Sequence, residues 1–350
     1  MSVSYLVNPL RDPAWRPESG LEAQARELHE SLPGYAPTPL HDLPSLAAEL
    51  GLGRVLLKDE SSRFGLPAFK ALGAFWAAHW ALAGRDPATL TLAAATEGNH
   101  GRAVARAAKL LGARAHIVIP AHTSPARAAA IAQEGAHVER IDGGYEDAVA
   151  HAARLAAGDV LVISDTSWPG YEEIPARVVE GYATMFAEID VPVDLVVVPI
   201  GVGSLAAAAA RHFRAGPGDG PFLLGLEPAD AACALESARS GRLTTVPGPM
   251  RSTMAGLNCA EPSPAAWPLL AAAYDAFCAI DDAHVDWGMR RLASEGLDRG
   301  ATSGGVVGGL RAHRASLPLP EDATALLILT EGVTDPAVFQ AAVGRPHRTV

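Results

Sequence analysis

The chain has 350 residues, 49% of them hydrophobic and 19% charged, which is enough to bury one large or two ordinary cores and too apolar for a disordered protein. A formal net charge of -11 argues against nucleic acid or an anionic membrane as the main partner, and no apolar run approaches the roughly 18 to 20 residues of a membrane helix. The N-terminus, MSVSYLVNPLRDPAWRP, lacks a charged-then-apolar signal pattern, and Cys233, Cys259 and Cys278 are odd in number with no CxxC spacing. A cytosolic protein with buried thiols is expected, without a disulfide framework or a metal site.

In chain order, RVLLKDE (54–60) reads as a strand. It is followed by SSRFGLPAFKALGAFWA, in which Lys70 stands just ahead of an apolar helical run predicted over 69–83, with no other charge between Arg63 and His79. TLTLAAAT (89–96) is strand-like and runs into the helix of GNHGRAVARAAKLLG, and RAHIVIP (114–120) is a strand followed by TSPARAAAIAQEG, with a Ser-Pro start and a Gly stop. The cycle returns in AHVERIDG, YEDAVAHAARLAA and DVLVISDT, and again in VDLVVVPIGVGSLAAAAARHF. Strands rich in β-branched residues alternating with helices imply an α/β class with parallel sheets covered on both faces. EIDVPVD (188–194) reads as a linker, and RAGPGDGP (214–221) as a weaker one or a loop.

Open parallel sheets bind ligands at the carboxyl ends of their strands. Four stretches follow predicted strands there. Gly201-Val202-Gly203-Ser204 precedes an alanine-rich helix, and its small residues let backbone N–H groups approach an anion, although it matches neither a P-loop nor a full dinucleotide fingerprint. Thr96-Glu97-Gly98-Asn99-His100-Gly101 offers a backbone that bends around a ligand and an amide that both donates and accepts. Ser164-Asp165-Thr166-Ser167-Trp168 and Thr330-Glu331-Gly332 complete the set. Each by itself is a plain turn or helix cap; together on one sheet edge they form a candidate site.

A lysine on an apolar helix start is expected to be desolvated, which favours the neutral amine and makes it available for a Schiff base. An isolated lysine there would snorkel to solvent. With a phosphate cradle in the same chain, Lys70 points instead to an aldehyde that carries a phosphate, as pyridoxal 5'-phosphate does.

The motifs PTPL, LLKDES, AFKALGA, TEGNHGRAVA, PIGVGS and LTEG resemble the fold-type II pyridoxal-phosphate enzymes, the class of the tryptophan synthase β-subunit and threonine dehydratase. Within that class, SSRFGLPAFKALGA, ATEGNHGRAVA, SDTSWPGYEEIPARVVEGYATM and STMAGLNCAEPS are similar to the diaminopropionate ammonia-lyases, in order and over nearly the whole chain. The resemblance implies two open, mostly parallel twisted sheets with flanking helices, with 1–75 and 190–350 forming a large cofactor-binding domain and 76–189 a small one. It also implies a homodimer. Lys70 matches the Schiff-base lysine, Asn99 the partner of the pyridine 3' oxygen, Gly201, Val202, Gly203 and Ser204 the phosphate loop, and Thr330 the hydroxyl partner of the pyridine nitrogen. Asp165 matches an acid–base aspartate, while Glu97 stands where the family usually has another aspartate, one methylene shorter.

The activity so implied is α,β-elimination on 2,3-diaminopropionate to give pyruvate and ammonia, with Lys70, Glu97 and Asp165 as the acid–base groups. A serine or threonine dehydratase using the same cofactor is the nearer alternative, and a non-catalytic phosphometabolite-binding protein the farther one. A neutral hydroxyl at Thr330 leaves the ring nitrogen largely unprotonated, which favours elimination over transamination.

Overall fold

A computed structural model describes residues 3–96 and 98–348 of the chain. Its strands are β1 (Ser4–Val7), β2 (Leu40–Asp42), β3 (Arg54–Asp59), β4 (Thr91–Ala95), β5 (Arg114–Pro120), β6 (His137–Ile141), β7 (Val160–Val162), β8 (Leu195–Pro199), β9 (Phe222–Pro228), β10 (Ala276–Ile280) and β11 (Thr324–Leu329). They divide between two compact units. The first comprises Met1–Ser19, Pro37–Ser62 and Met185–Val350; the second comprises Gly20–Ala36 and Arg63–Thr184. The chain thus passes from one unit to the other at 19/20, 36/37, 62/63 and 184/185.

The first unit holds a seven-stranded sheet in the order β1-β10-β9-β8-β11-β3-β2. Its five central strands are parallel, and β1 and β2 run antiparallel at the two edges. The central strands are continuous apolar runs, LVVVP in β8 and AFCAI in β10, buried at every position. Burying each such Val, Leu or Ile contributes roughly 1.5 to 3 kcal/mol, which demands helices on both faces. The small residues of ATSGGVVGGL serve this packing: the helices Asp282–Ser294 and Ala301–His313 approach so closely that a Cβ at Gly288 would collide with the Gly304 carbonyl. Charge is buried on β3 as well, where the Lys58 ammonium donates to the Thr38 carbonyl at 2.9 Å and to Glu188 at 2.6 Å. Glu188, in the stretch read as a linker, is therefore tied to the sheet.

The second unit holds a four-stranded, wholly parallel sheet, β6-β5-β4-β7. The helix Glu22–Ser31 joins this unit through the buried His29, whose ring nitrogens lie 2.8 Å from Thr184 Oγ1 and 2.9 Å from the Leu72 carbonyl. The helix Lys70–Leu82 is buried along most of its length and packs on the helix Glu173–Ala187 backbone to backbone. A Cβ at Gly181 would lie 2.6 Å from the Leu72 carbonyl oxygen, and one at Gly73 would lie 2.6 Å from the Tyr182 ring. These two glycines set the height at which the Lys70 helix sits.

Candidate active site

In the second unit β4 and β7 are parallel neighbours, so the residues that follow them emerge at the same sheet edge. The helix Asn99–Leu111 begins just after β4, and the segment carrying Asp165 follows β7. Lys70, the first residue of its helix, reaches this edge: its Nζ donates to Asp165 Oδ2 at 2.6 Å. The lysine side chain is 21% exposed and the aspartate 7%. Burial pushes the Asp165 carboxyl up, but the charge of Lys70 and its hydrogen bond lead the effects that outweigh this and hold the group well below the usual carboxylate range. The expectation of an amine desolvated by apolar neighbours is therefore corrected. Phe69, Ala71 and Leu72 are buried as expected, but the amine itself meets a carboxylate.

Two aromatic rings flank the amine. Lys70 Nζ lies 5.1 Å from the Phe69 ring centre and 5.7 Å from that of Tyr182, and the two rings are 4.7 Å apart. The Tyr182 hydroxyl is buried, and burial raises its pKa strongly. The Tyr145 hydroxyl approaches Asp165 Oδ1 at 3.4 Å. The chain has three lysines. Lys58 is locked to Glu188 and Lys109 lies exposed on a helix, so among the described residues Lys70 is the lysine set beside an acid at a sheet edge.

Asp165 is held by the backbone on its N-terminal side. Ile163 N–H donates to the Ala93 carbonyl at 2.7 Å, which extends the pairing of β7 beyond its last residue. The Tyr171 hydroxyl donates to the Val162 carbonyl at 2.6 Å and accepts from Ser164 N–H at 3.1 Å. Its ring stacks on Trp168 at 4.1 Å, across the bridge these two residues make. The DTSWPGY motif is thus a clamp on the strand end that carries the acid. His100 holds the same segment, with Nε2 2.8 Å from the Ile163 carbonyl.

In the first unit β8 and β11 are parallel neighbours, and this places Gly201–Ser204 and Thr330 at one sheet edge. Gly203, at the N-cap of the helix Ser204–Phe213, has φ of 96°, a backbone that L side chains rarely adopt. The turn so formed aims the first-turn N–H groups out of the helix, a ready anion site. The segment Ser252–Cys259 packs against Gly201, where a Cβ would lie 2.9 Å from the Gly256 carbonyl oxygen and 3.3 Å from Cys259 Sγ. In that segment Thr253 Oγ1 and Asn258 Oδ1 are buried with no hydrogen-bond partner among the described residues. Thr330 follows β11 directly and is 4% exposed.

The model of the family described as "Pyridoxal-phosphate dependent enzyme" matches residues 31–331. This chain belongs to that pyridoxal-phosphate enzyme family. It is 37% identical to the diaminopropionate ammonia-lyase of Salmonella typhimurium, over 90% of this chain and 90% of that one. To the diaminopropionate ammonia-lyase of Escherichia coli K12 it is 34% identical, over 91% and 90%. The crystal structure of the Escherichia coli enzyme in complex with an aminoacrylate-PLP azomethine reaction intermediate superposes with a TM-score of 0.90 at 31% identity, covering 98% of this chain and 97% of that one.

The residues present fit the family's cofactor. The glycine turn and helix N-terminus suit a phosphate ester, and the unpaired Thr253 and Asn258 oxygens are polar groups that a polar ligand would satisfy. Lys70 supplies an amine for an aldehyde carbon, and Asn99 and Thr330 supply uncharged hydrogen-bonding groups at the two sheet edges. Of the residues singled out from the sequence, Lys70, Asp165 and Asn99 come to one edge of the four-stranded sheet and Gly201–Ser204 and Thr330 to one edge of the seven-stranded sheet, so the expectation of a single sheet edge for all four stretches is corrected to two. Glu97 lies outside the described residues. Sequence reasoning gave no role to Tyr145, Tyr171 or Tyr182, although each lies in a stretch it had quoted, nor to the ring nitrogens of His100.

Proposed function

We propose that this family member is an ammonia-lyase that converts 2,3-diaminopropionate and water into pyruvate and two molecules of ammonia. The observation that carries the reading is the Lys70–Asp165 couple, an amine and a carboxylate 2.6 Å apart at the sheet edge where the helix of Asn99 begins. The first unit is read as the larger, cofactor-binding part and the second as the smaller one, whose sequence carries the lysine and the acids. Bound pyridoxal phosphate would supply the electron sink that makes the α-proton of an amino acid acidic.

The chain's own residues do the rest. Lys70 would hold the cofactor through its amine and serve as a base once that amine is free, and Asn99 would offer its amide to the ring. Gly201, Val202, Gly203 and Ser204 would carry the phosphate, and Thr330 would offer the ring nitrogen a hydroxyl that does not protonate it. A β-amino group does not leave as an anion, so a carboxylate must hold it as ammonium and an acid must keep it protonated. Asp165, ionised over the whole ordinary pH range, is suited to the first task. Glu97 is assigned to share it. The Tyr182 and Phe69 rings flank the amine.

Release of ammonia and 2-oxo acid from a panel of β-substituted amino acids of both hands tests the reading. Turnover of either diaminopropionate enantiomer well above that of serine and threonine is expected; the reverse order makes the protein a dehydratase. Borohydride reduction with peptide mapping should place the cofactor on Lys70. A colourless protein that retains no cofactor would leave only the phosphometabolite-binding role.

A further inference from the structure

A lysine that must react as a free amine is, in this site, paired as an ammonium with Asp165, so its proton needs somewhere to go. Among the described residues, His100 offers a place. His100 is 5% exposed, and its Nε2 lies 2.8 Å from the carbonyl oxygen of Ile163, a group that only accepts. Nε2 therefore carries the hydrogen, and in the neutral ring Nδ1 bears a bare lone pair. That Nδ1 is buried, has no hydrogen-bond partner among the described residues, and faces Asp165 Oδ2 at 3.9 Å. The same Oδ2 accepts from Lys70 Nζ at 2.6 Å on its other side.

An unpaired buried nitrogen is costly, and this one stands beside the carboxylate that takes up the lysine proton. We propose that His100 is the proton store of the Lys70–Asp165 couple: as Lys70 becomes a neutral amine, its proton passes through Asp165 Oδ2 to His100 Nδ1. One N–H bond breaks at Lys70 and one forms at His100, with Asp165 a carboxylate before and after. The buried group of three keeps the same net charge throughout, as ammonium, carboxylate and imidazole become amine, carboxylate and imidazolium. That constancy matters in a site of low dielectric, where an uncompensated charge is expensive. Closing the gap from 3.9 Å to a hydrogen bond of roughly 2.8 Å needs a movement of about 1 Å, within reach of a carboxylate rotation.

The electrostatics agree in direction. Burial lowers the His100 pKa, Asp165 raises it, and the Lys70 charge lowers it again, so withdrawing that last charge favours the imidazolium. The other groups bearing on the relay are Tyr145, at 3.4 Å from Asp165 Oδ1, the Tyr182 ring, 5.7 Å from Lys70 Nζ, and Arg127, whose side chain lies over Gly98. Tyr145 sits on the other carboxylate oxygen, Oδ1, whereas His100 faces Oδ2. His100 acts through Asp165 and is a positioning and proton-storing residue, without contact to substrate.

The inference rests on the reading of Lys70 as the reacting amine, and its test needs no substrate. Histidine labelled with ¹⁵N reports ring protonation directly, with the His100 signals assigned from His100→Gln. The wild-type protein without cofactor should show the neutral Nε2–H ring at pH 7. Lys70→Met, which removes the ammonium, should show His100 as imidazolium, its titration moved at least one pH unit upward. A ring still neutral in Lys70→Met at pH 7 overturns the relay, whatever the enzyme's substrate. Lys70→Gln serves the same purpose should the Met variant not fold. In the holoenzyme, a residue acting through Asp165 predicts that His100→Gln lowers turnover about tenfold or more in wild type and causes no further loss in an Asp165→Asn background. Equal losses in both backgrounds would make His100 only a prop for Ile163 and overturn the proposal.

Discussion

Replacing Asp165 by Asn removes a charge and almost no volume, so it isolates the electrostatic part of the Lys70–Asp165 couple. At the observed 2.6 Å separation and an effective dielectric of about 20, the gross attraction is roughly 6 kcal/mol. Most of this is offset by the desolvation of a carboxylate that is nearly inaccessible, while the lysine keeps partial contact with water. A net loss of about 1 to 3 kcal/mol of stability is expected, with the protein still folded. The sign with pH follows from the direction of the shift. The native carboxyl ionises below its unfolded-state range, near pH 3.9, so its contribution is complete above that range and is lost as pH falls toward the native value. Thermal unfolding should therefore show wild type and Asp165→Asn furthest apart at neutral pH and converging in acid. Turnover of 2,3-diaminopropionate should fall by roughly 10² or more, equivalent to about 2.7 kcal/mol of transition-state stabilisation. A variant within threefold of wild type in turnover, or a stability difference that does not change between pH 7 and pH 3, would refute the reasoning.

The clamp on the strand end predicts that Tyr171→Phe leaves the Val162 carbonyl and the Ser164 N–H without their partner. The variant should lose about 1 to 3 kcal/mol in denaturant titration and lose turnover as Asp165 shifts, while wild-type values in both would show the hydroxyl to be idle. Gly181→Ala puts a methyl 2.6 Å from the Leu72 carbonyl oxygen and should destabilise by about 1 to 3 kcal/mol while weakening cofactor retention, since the Lys70 helix must move; equilibrium unfolding and cofactor absorbance read the two effects. Glu227, wholly buried on β9, has its carboxyl pushed up to about 8 by burial, against the N–H groups of Ala234 and Leu235 that draw it down. A group that binds its proton more tightly in the native state makes stability fall as pH rises from about 4.5 to 8. That slope should be present in the wild-type melting temperature and absent in Glu227→Gln.

The sequence by itself determined whatever depends on neighbours along the chain. The strands Arg114–Pro120 and Leu195–Pro199 and the helices that follow Lys70, Asn99 and Ser204 are legible because apolar period, β-branching and glycine or Ser-Pro punctuation act within a few residues. Lys70 and the Gly201–Ser204 turn are legible for the same reason: an isolated charge and a run of small residues are local anomalies. Periodicity says which face of a strand is buried and is silent about which strand lies beside it. Tertiary structure alone decided that β4 neighbours β7, which brings Asp165 to the edge where the helix of Asn99 starts, and that β3 pairs with β11 from the far end of the chain. It alone decided that the helix of His29 belongs with the second unit, that the amine of Lys70 meets a carboxylate instead of an apolar wall, and that His100 turns an unpaired nitrogen toward that same carboxylate. Each of these depends on the few ångströms that separate side chains far apart in sequence, a distance set by glycines such as Gly73 and Gly181 only once the helices that carry them have docked.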